Sequence, residues 1–160
     1  MKQQQLLEQA IYIALQAHKG KADKGDNPYI LHPLRVMLTM ETTEEKIVAV
    51  LHDVIEDSGF TIQQLKQNGF SKKVLDAVSL LTKKENQSYQ DYISVIKKNP
   101  LAVKVKLADL KDNMNTKRLK KITEADRERI KKYKAAYKFL TAPNWNGKLR
   151  IWNKVYIPFS

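Results

Sequence analysis

Apolar residues recur at three- and four-residue steps over most of the 160-residue chain, the spacing of helices with one buried stripe. Leu6, Leu7, Ala10, Ile11, Ala14 and Ala17 define a first helix, and the polar loop from Gly20 to Pro28 stops it. Tyr29 to Met40 reads as a short helix, with Pro33 tolerable at its start. Thr43, followed by Glu44 and Glu45, predicts a capped start for a helix carrying Ile47, Val48, Leu51, Val54 and Ile55 as far as Ser58-Gly59. Further helices are predicted over Thr61–Asn68, Ser71–Thr82, from Ser88 to Asn99-Pro100, and over Leu101–Asn113. Thr123-Glu124-Ala125-Asp126 forms a capping box with Asp in the Glu position. It opens a basic helix whose Ile130, Tyr133, Ala136, Tyr137 and Leu140 form the buried stripe. Pro143, Asn144 and Gly147 break the pattern. Strand signals are weak, so the expected fold is an all-α single-domain bundle over 1–142. An aromatic tail over 143–160 (Trp145, Trp152, Tyr156, Phe159) is expected to pack on it.

Composition narrows the chemistry. The chain has 42% hydrophobic and 29% charged residues, a profile of folded globular proteins. The absence of cysteine excludes a disulfide scaffold, a thiolate zinc site and a cysteine nucleophile. No export signal or membrane-spanning run is visible, so a soluble cytoplasmic protein without a membrane partner is expected. The formal net charge is +12, unevenly spread. Residues 1–96 carry 11 Lys/Arg against 12 Asp/Glu, whereas residues 97–160 carry 18 against 5. Such asymmetry fits an anionic partner, whether nucleic acid, membrane surface or a phosphorylated small molecule, and equally a solvated Lys-rich helical face.

Three short segments hold the candidate chemistry. His52 and Asp53 lie among aliphatics in Val50-Leu51-His52-Asp53-Val54-Ile55-Glu56-Asp57, read here as continuous helix. Burying an imidazole beside a carboxylate is expensive unless a cation compensates. Helical spacing puts Glu56 and Asp57 on the same face, although an exposed acidic face beside a capped histidine has the same pattern. His32 follows a loop in Pro28-Tyr29-Ile30-Leu31-His32-Pro33, and Asp109 interrupts the apolar repeat Val105-Lys106-Leu107-Ala108-Asp109-Leu110. Two imidazoles and two carboxylates make a mixed N/O donor set that suits Mn, Fe, Co or Zn better than Ca or Mg.

Together these words resemble the H…HD…D signature of HD-domain phosphohydrolases. Pro28-Tyr29-Ile30 with His32-Pro33, Leu51-His52-Asp53-Val54 with Glu56-Asp57, and Lys106-Leu107-Ala108-Asp109 with Asn113-Met114 and Thr116 are similar to the hydrolase domain of RelA/SpoT-type alarmone enzymes. The resemblance implies one Mn²⁺ held by His32, His52, Asp53 and Asp109. It assigns Glu56 and Asp57 to the attacking water and places Asn113 beside the metal. It implies removal of the 3′-pyrophosphate from (p)ppGpp, giving GDP or GTP, with no room in this chain for the family's synthetase domain. Tyr29, Lys24, Lys111 and Thr116 are the expected substrate-binding residues. His18 matches a motif position that is not a ligand and is expected either to be structural or to support the ligands from behind.

The chain departs from the pattern at the nucleotide clamp. Asp23-Lys24 stands in place of an Arg-Lys pair, and Leu110 and Asn115 stand in place of arginines. Lys24, Lys111 and Arg118 are candidate replacement cations. The alternatives are an HD phosphohydrolase acting on another nucleotide or phosphorylated metabolite, and a basic nucleic-acid-binding protein with a vestigial site. For the latter, Lys117-Arg118, Lys120-Lys121 and Lys131-Lys132 supply charge and Tyr133 and Tyr137 can stack on bases. The spacing of those tyrosines with Ile130 and Leu140 predicts core packing instead.

Overall fold

The helical pattern folds around one central helix. The computed structural model describes residues 2–143, so the aromatic tail expected to pack on the bundle lies outside them. Along the chain run α1 (Gln3–Ala17), α2 (Leu31–Leu38), α3 (Thr43–Leu51), α4 (Val54–Asp57), α5 (Ile62–Gln67), α6 (Lys72–Leu81), α7 (Tyr89–Ile96), α8 (Pro100–Met114) and α9 (Glu124–Thr141). A 3₁₀ turn over Thr116–Arg118 separates the last two. No strand occurs among the described residues; a single antiparallel bridge between Ala22 and Pro28 closes the loop after α1. The all-α expectation holds.

Local chemistry sets the helix ends. Ser71, Ser88 and Asn99 each accept a backbone N–H of the first turn, and Thr61 and Thr123 do so within reciprocal capping boxes. Pro100 occupies the first turn of α8, where its missing N–H costs nothing. The cap of α3 is Thr42 rather than Thr43: its hydroxyl accepts from the Glu45 N–H, and Glu45 reaches back to the Thr42 N–H at 3.1 Å.

Helix α3 is the hub, packed against α1, α2, α6 and α8. Val48, Ala49, Val50 and Leu51 are fully buried, so no face of its C-terminal half meets water. Its backbone ladder is broken just past this buried half. It stops at His52-Asp53, where Asp53 adopts φ −102°, ψ −3° before α4 begins. The continuous helix expected from Thr43 to Ser58 is therefore two segments with the His-Asp pair at the joint. This joint faces α2 and the C-terminal half of α8.

Candidate metal centre

His32 on the first turn of α2, His52-Asp53 at the α3–α4 joint and Asp109 on α8 converge on one point. His32 Nε2 lies 3.1 Å from Asp109 Oδ1 and 3.7 Å from Asp53 Oδ2. His52 Nε2 lies 3.0 Å from Asp53 Oδ2 and 3.6 Å from Asp109 Oδ1. The imidazoles meet edge to face with centroids 5.2 Å apart. His32, His52 and Asp109 are all buried, and their donor atoms fall within 4.8 Å of one another. Bonds of about 2.0–2.2 Å to a transition cation put neighbouring ligand atoms about 3–4 Å apart, so the spacing fits.

Both rings are held by their other nitrogen. His52 Nδ1 sits 2.7 Å from the Ala49 carbonyl oxygen, and His32 Nδ1 sits 2.7 Å from Asp112 Oδ2. Those partners only accept, so each Nδ1 carries a proton, and each Nε2 offers a lone pair whenever its ring is neutral. Both Nε2 atoms are buried without a hydrogen-bond partner. Lone pairs aimed at carboxylate oxygens repel unless a proton or cation lies between them. The residues therefore fit a divalent metal.

The surrounding charges agree. Burial disfavours the charged form of His52, yet Asp53 and Asp109 hold it well above its usual value; His32 is raised against burial by the nearby carboxylates of Asp109 and Asp112. Burial pushes Asp109 up, but Lys106 and the two imidazoles hold it well below the carboxylate range. Lys106 Nζ donates to Asp109 Oδ2 at 2.7 Å, and Asn113 Nδ2 donates to Oδ1. Tyr29 donates its hydroxyl to Asp53 Oδ2 at 2.6 Å. The centre is built to concentrate positive charge.

The two expected water-handling acids separate. Asp57 is half-buried, with Oδ2 3.7 Å from Nδ1 of the buried His18, and burial followed by repulsion from Asp53 raises its pKa. Glu56 is exposed and accepts the Lys83 N–H at 2.9 Å, a bond that ties α4 to the end of α6. His18 packs on Tyr29 with centroids 4.9 Å apart, as a structural residue would.

Beside the centre opens a cleft lined by Asp23, Lys24, Tyr29, His32, Asn113, Asn115, Arg129 and Tyr133, among others. Of the expected substrate-binding residues it contains Lys24 and Tyr29. Lys111 instead lies over the Tyr137 ring at 5.7 Å in a separate groove between α2, α8 and α9. Thr116 lines a third depression with Met114 and Ile130. Two residues past Asp109, Lys111 points about 200° away around the helix, which is why it misses the cleft. The Arg118 side chain lies outside what the structure describes. The tyrosines offered for base stacking are half-buried: Tyr133 in the cleft wall, Tyr137 under Lys111.

Sequence reasoning missed Asp112, Arg35 and Arg129, and gave Asp126 a capping role alone. Asp126, buried at the first turn of α9, lies 2.7 Å from Arg129 Nη2 and 3.8 Å from Lys24 Nζ, gathering both cations at the cleft. Asp23 accepts the N–H groups of Gly25 and Asn27, closing the loop that carries Lys24.

Fold and donor set together give an all-α domain with a metal-competent His-Asp centre. In sequence the chain is RelA/SpoT-like. It is 33% identical over 126 residues to the bifunctional (p)ppGpp synthase/hydrolase SpoT of Escherichia coli, covering 69% of this chain and 18% of that protein. It is 30% identical over 122 residues to the guanosine-3′,5′-bis(diphosphate) 3′-pyrophosphohydrolase of Aquifex aeolicus, covering 69% and 17%. It thus spans less than a fifth of the length of these curated relatives. No family model matches the chain. A solved structure described as a metazoan ortholog of SpoT that hydrolyzes ppGpp superposes with a TM-score of 0.70 at 20% identity, over 92% of both chains, and shows the shared fold. Among the described residues no helix is long and apolar enough to cross a membrane.

Proposed function

We propose that this chain is a metal-dependent phosphohydrolase that removes pyrophosphate from the 3′ position of (p)ppGpp, giving GDP or GTP, with Mn²⁺ as the cation. The observation that carries it is the pair of orphaned, buried Nε2 atoms facing two carboxylates. The activities of the similar proteins supply the substrate. His32, His52, Asp53 and Asp109 would hold the cation. When bound, it supplies Lewis-acid polarisation of a phosphoryl oxygen and lowers the pKa of a water.

The remaining steps belong to the chain's own side chains. Asp57, half-buried and with a raised pKa, accepts the proton of the attacking water at its carboxylate. Tyr29 fixes Asp53 by its hydroxyl, and Asn113 and Lys106 fix the two oxygens of Asp109. Lys24 and Arg129 set positive charge along the cleft for the phosphate groups, and Tyr133 offers a ring to the nucleoside. Glu56 acts one step back, holding α4 through Lys83.

A second substrate, another nucleotide or phosphorylated metabolite, is favoured by one observation. Asp23 places a carboxylate at the cleft and spends it on loop closure, so that position offers no cation to a base. Product analysis on ppGpp, pppGpp and ordinary nucleoside triphosphates, with His52→Ala as control, decides. Pyrophosphate release from ppGpp that needs Mn²⁺ and His52 is expected. Turnover of a different compound alone overturns the alarmone assignment. Nucleic-acid binding that weakens steeply with salt, without any turnover, overturns hydrolysis altogether.

A further inference from the structure

The two histidines are not held alike. His52 leans on its own backbone, the Ala49 carbonyl three residues earlier, and needs nothing from another helix. His32 depends on a carboxylate 80 residues away: Asp112 Oδ2, 2.7 Å from Nδ1. Asp112 is itself gripped by Arg35, whose Nε donates to Oδ1 at 2.7 Å and whose Nη2 donates to Oδ2 at 2.9 Å. The spacing repeats on both elements. Arg35 is three residues past His32 on α2, and Asp112 is three past Asp109 on α8, so each helix shows two groups on one face. Each helix thus contributes one group to the centre and one to the layer behind it. The back layer is more enclosed on the acid side: the Asp112 side chain is 13% exposed and that of Arg35 35%.

We infer that Asp112 and Arg35 are positioning residues that fix the tautomer and aim of His32, and through it set the affinity of the centre for its cation. This rests on the metal reading above and deepens it. The Asp112 carboxylate accepts the Nδ1 proton, which leaves the Nε2 lone pair directed at Asp53 and Asp109 and makes the imidazole a stronger donor. The bidentate grip of Arg35 removes rotational freedom from the carboxylate and so holds it in line with the ring. Neither residue touches the reacting atoms. His52 has no such dependence, so perturbing this pair disables one ligand and leaves the other.

The test is a calorimetric Mn²⁺ titration of the full chain, without substrate, for wild type, Asp112→Ala, Asp112→Asn, Arg35→Ala and Arg35→Lys. Loss of such an orienting partner weakens metal binding by about 10–100-fold, and Asp112→Ala is expected to fall in that range. Asp112→Asn keeps an acceptor oxygen but no charge and should fall less; Arg35→Lys should recover part of what Arg35→Ala loses. A second readout needs no metal. At a pH high enough to leave the ring neutral, the ¹⁵N spectrum of His32 should show the Nδ1-protonated tautomer in wild type and a mixture of tautomers in Asp112→Ala. A merely structural role for Asp112 would shift the melting temperature while leaving tautomer and affinity unchanged, and that result overturns the inference. If Asp112→Ala fails to fold, unchanged affinity in both Asp112→Asn and Arg35→Ala overturns it equally. A wild-type chain that binds no Mn²⁺ removes the metal reading and this inference together. Binding in wild type that survives Asp112→Ala removes this inference alone.

Discussion

Replacing Lys106 by methionine isolates the electrostatics of the centre from its shape. The two side chains have similar length, and the Lys106 stem already lies in a largely enclosed position, its ammonium 2.7 Å from Asp109 Oδ2 and 5.1 Å from the centre of the Tyr92 ring. Lys106→Met therefore keeps much of the apolar packing and deletes one charge. Breaking a buried ion pair from one side costs about 3–5 kcal/mol, because the remaining charge stays desolvated. Here Asp109 retains the two imidazoles, which the local field keeps prone to protonation, so the lower end of that range, about 3 kcal/mol, applies. For a chain of this size each kcal/mol moves the melting temperature by about 2–4 °C, so the metal-free variant should melt about 6–12 °C below wild type. Saturating Mn²⁺ restores positive charge at Asp109 and should close more than half of that gap. The assay is thermal unfolding by circular dichroism with chelator and then with Mn²⁺. A metal-free variant within about 2 °C of wild type, or a gap that Mn²⁺ leaves untouched, refutes the idea that Lys106 neutralises a ligand.

Three other perturbations probe neighbouring parts. Tyr29→Phe removes the hydroxyl that donates to Asp53; a hydrogen bond to a charged group contributes about 1.5–3 kcal/mol, so Mn²⁺-dependent turnover should drop about tenfold or more, and a rate within twofold of wild type counts against the role. Burial lowers the pKa of His18 from 6.5 to about 4, so the folded state keeps it neutral where the unfolded chain takes up a proton. Its contribution is complete above pH 6.5 and is lost as pH falls towards about 4. His18→Gln should therefore flatten the fall in melting temperature of the metal-free protein between pH 7 and 5, and an unchanged slope disproves the point. Lys24→Ala should raise KM for ppGpp several-fold at unchanged kcat; an unaltered KM removes Lys24 from the substrate site.

What sequence discloses here depends on how local the cause is. The Thr123–Asp126 capping box is determined by neighbours three residues apart, and it stands where the pattern puts it. The convergence of His32, His52, Asp53 and Asp109 was legible because an imidazole or acid inside an apolar run needs a partner. The break at His52-Asp53 was not, since Val50 to Asp57 contains neither Gly nor Pro and every residue tolerates a helix; the joint arises from tertiary packing. Glu56 illustrates the consequence: with the helix interrupted, its carboxylate goes to the Lys83 N–H rather than to the centre. Arg35 and Asp112 went unseen for another reason. Each looks like an ordinary charge on a helix, and only the packing of α2 against α8 brings them together across 77 residues. Thr42 was passed over for Thr43 because two adjacent threonines offer the same hydroxyl, and Glu45 alone distinguishes them.

The central claim is that two imidazoles and two carboxylates from three separated segments hold a single cation. Anomalous diffraction from crystals of the full chain grown with Mn²⁺ tests it most directly. The account predicts one strong peak within about 2.0–2.3 Å of Nε2 of His32 and Nε2 of His52, flanked by carboxylate oxygens of Asp53 and Asp109. A map with no peak there, or with manganese bound only elsewhere on the protein, contradicts it.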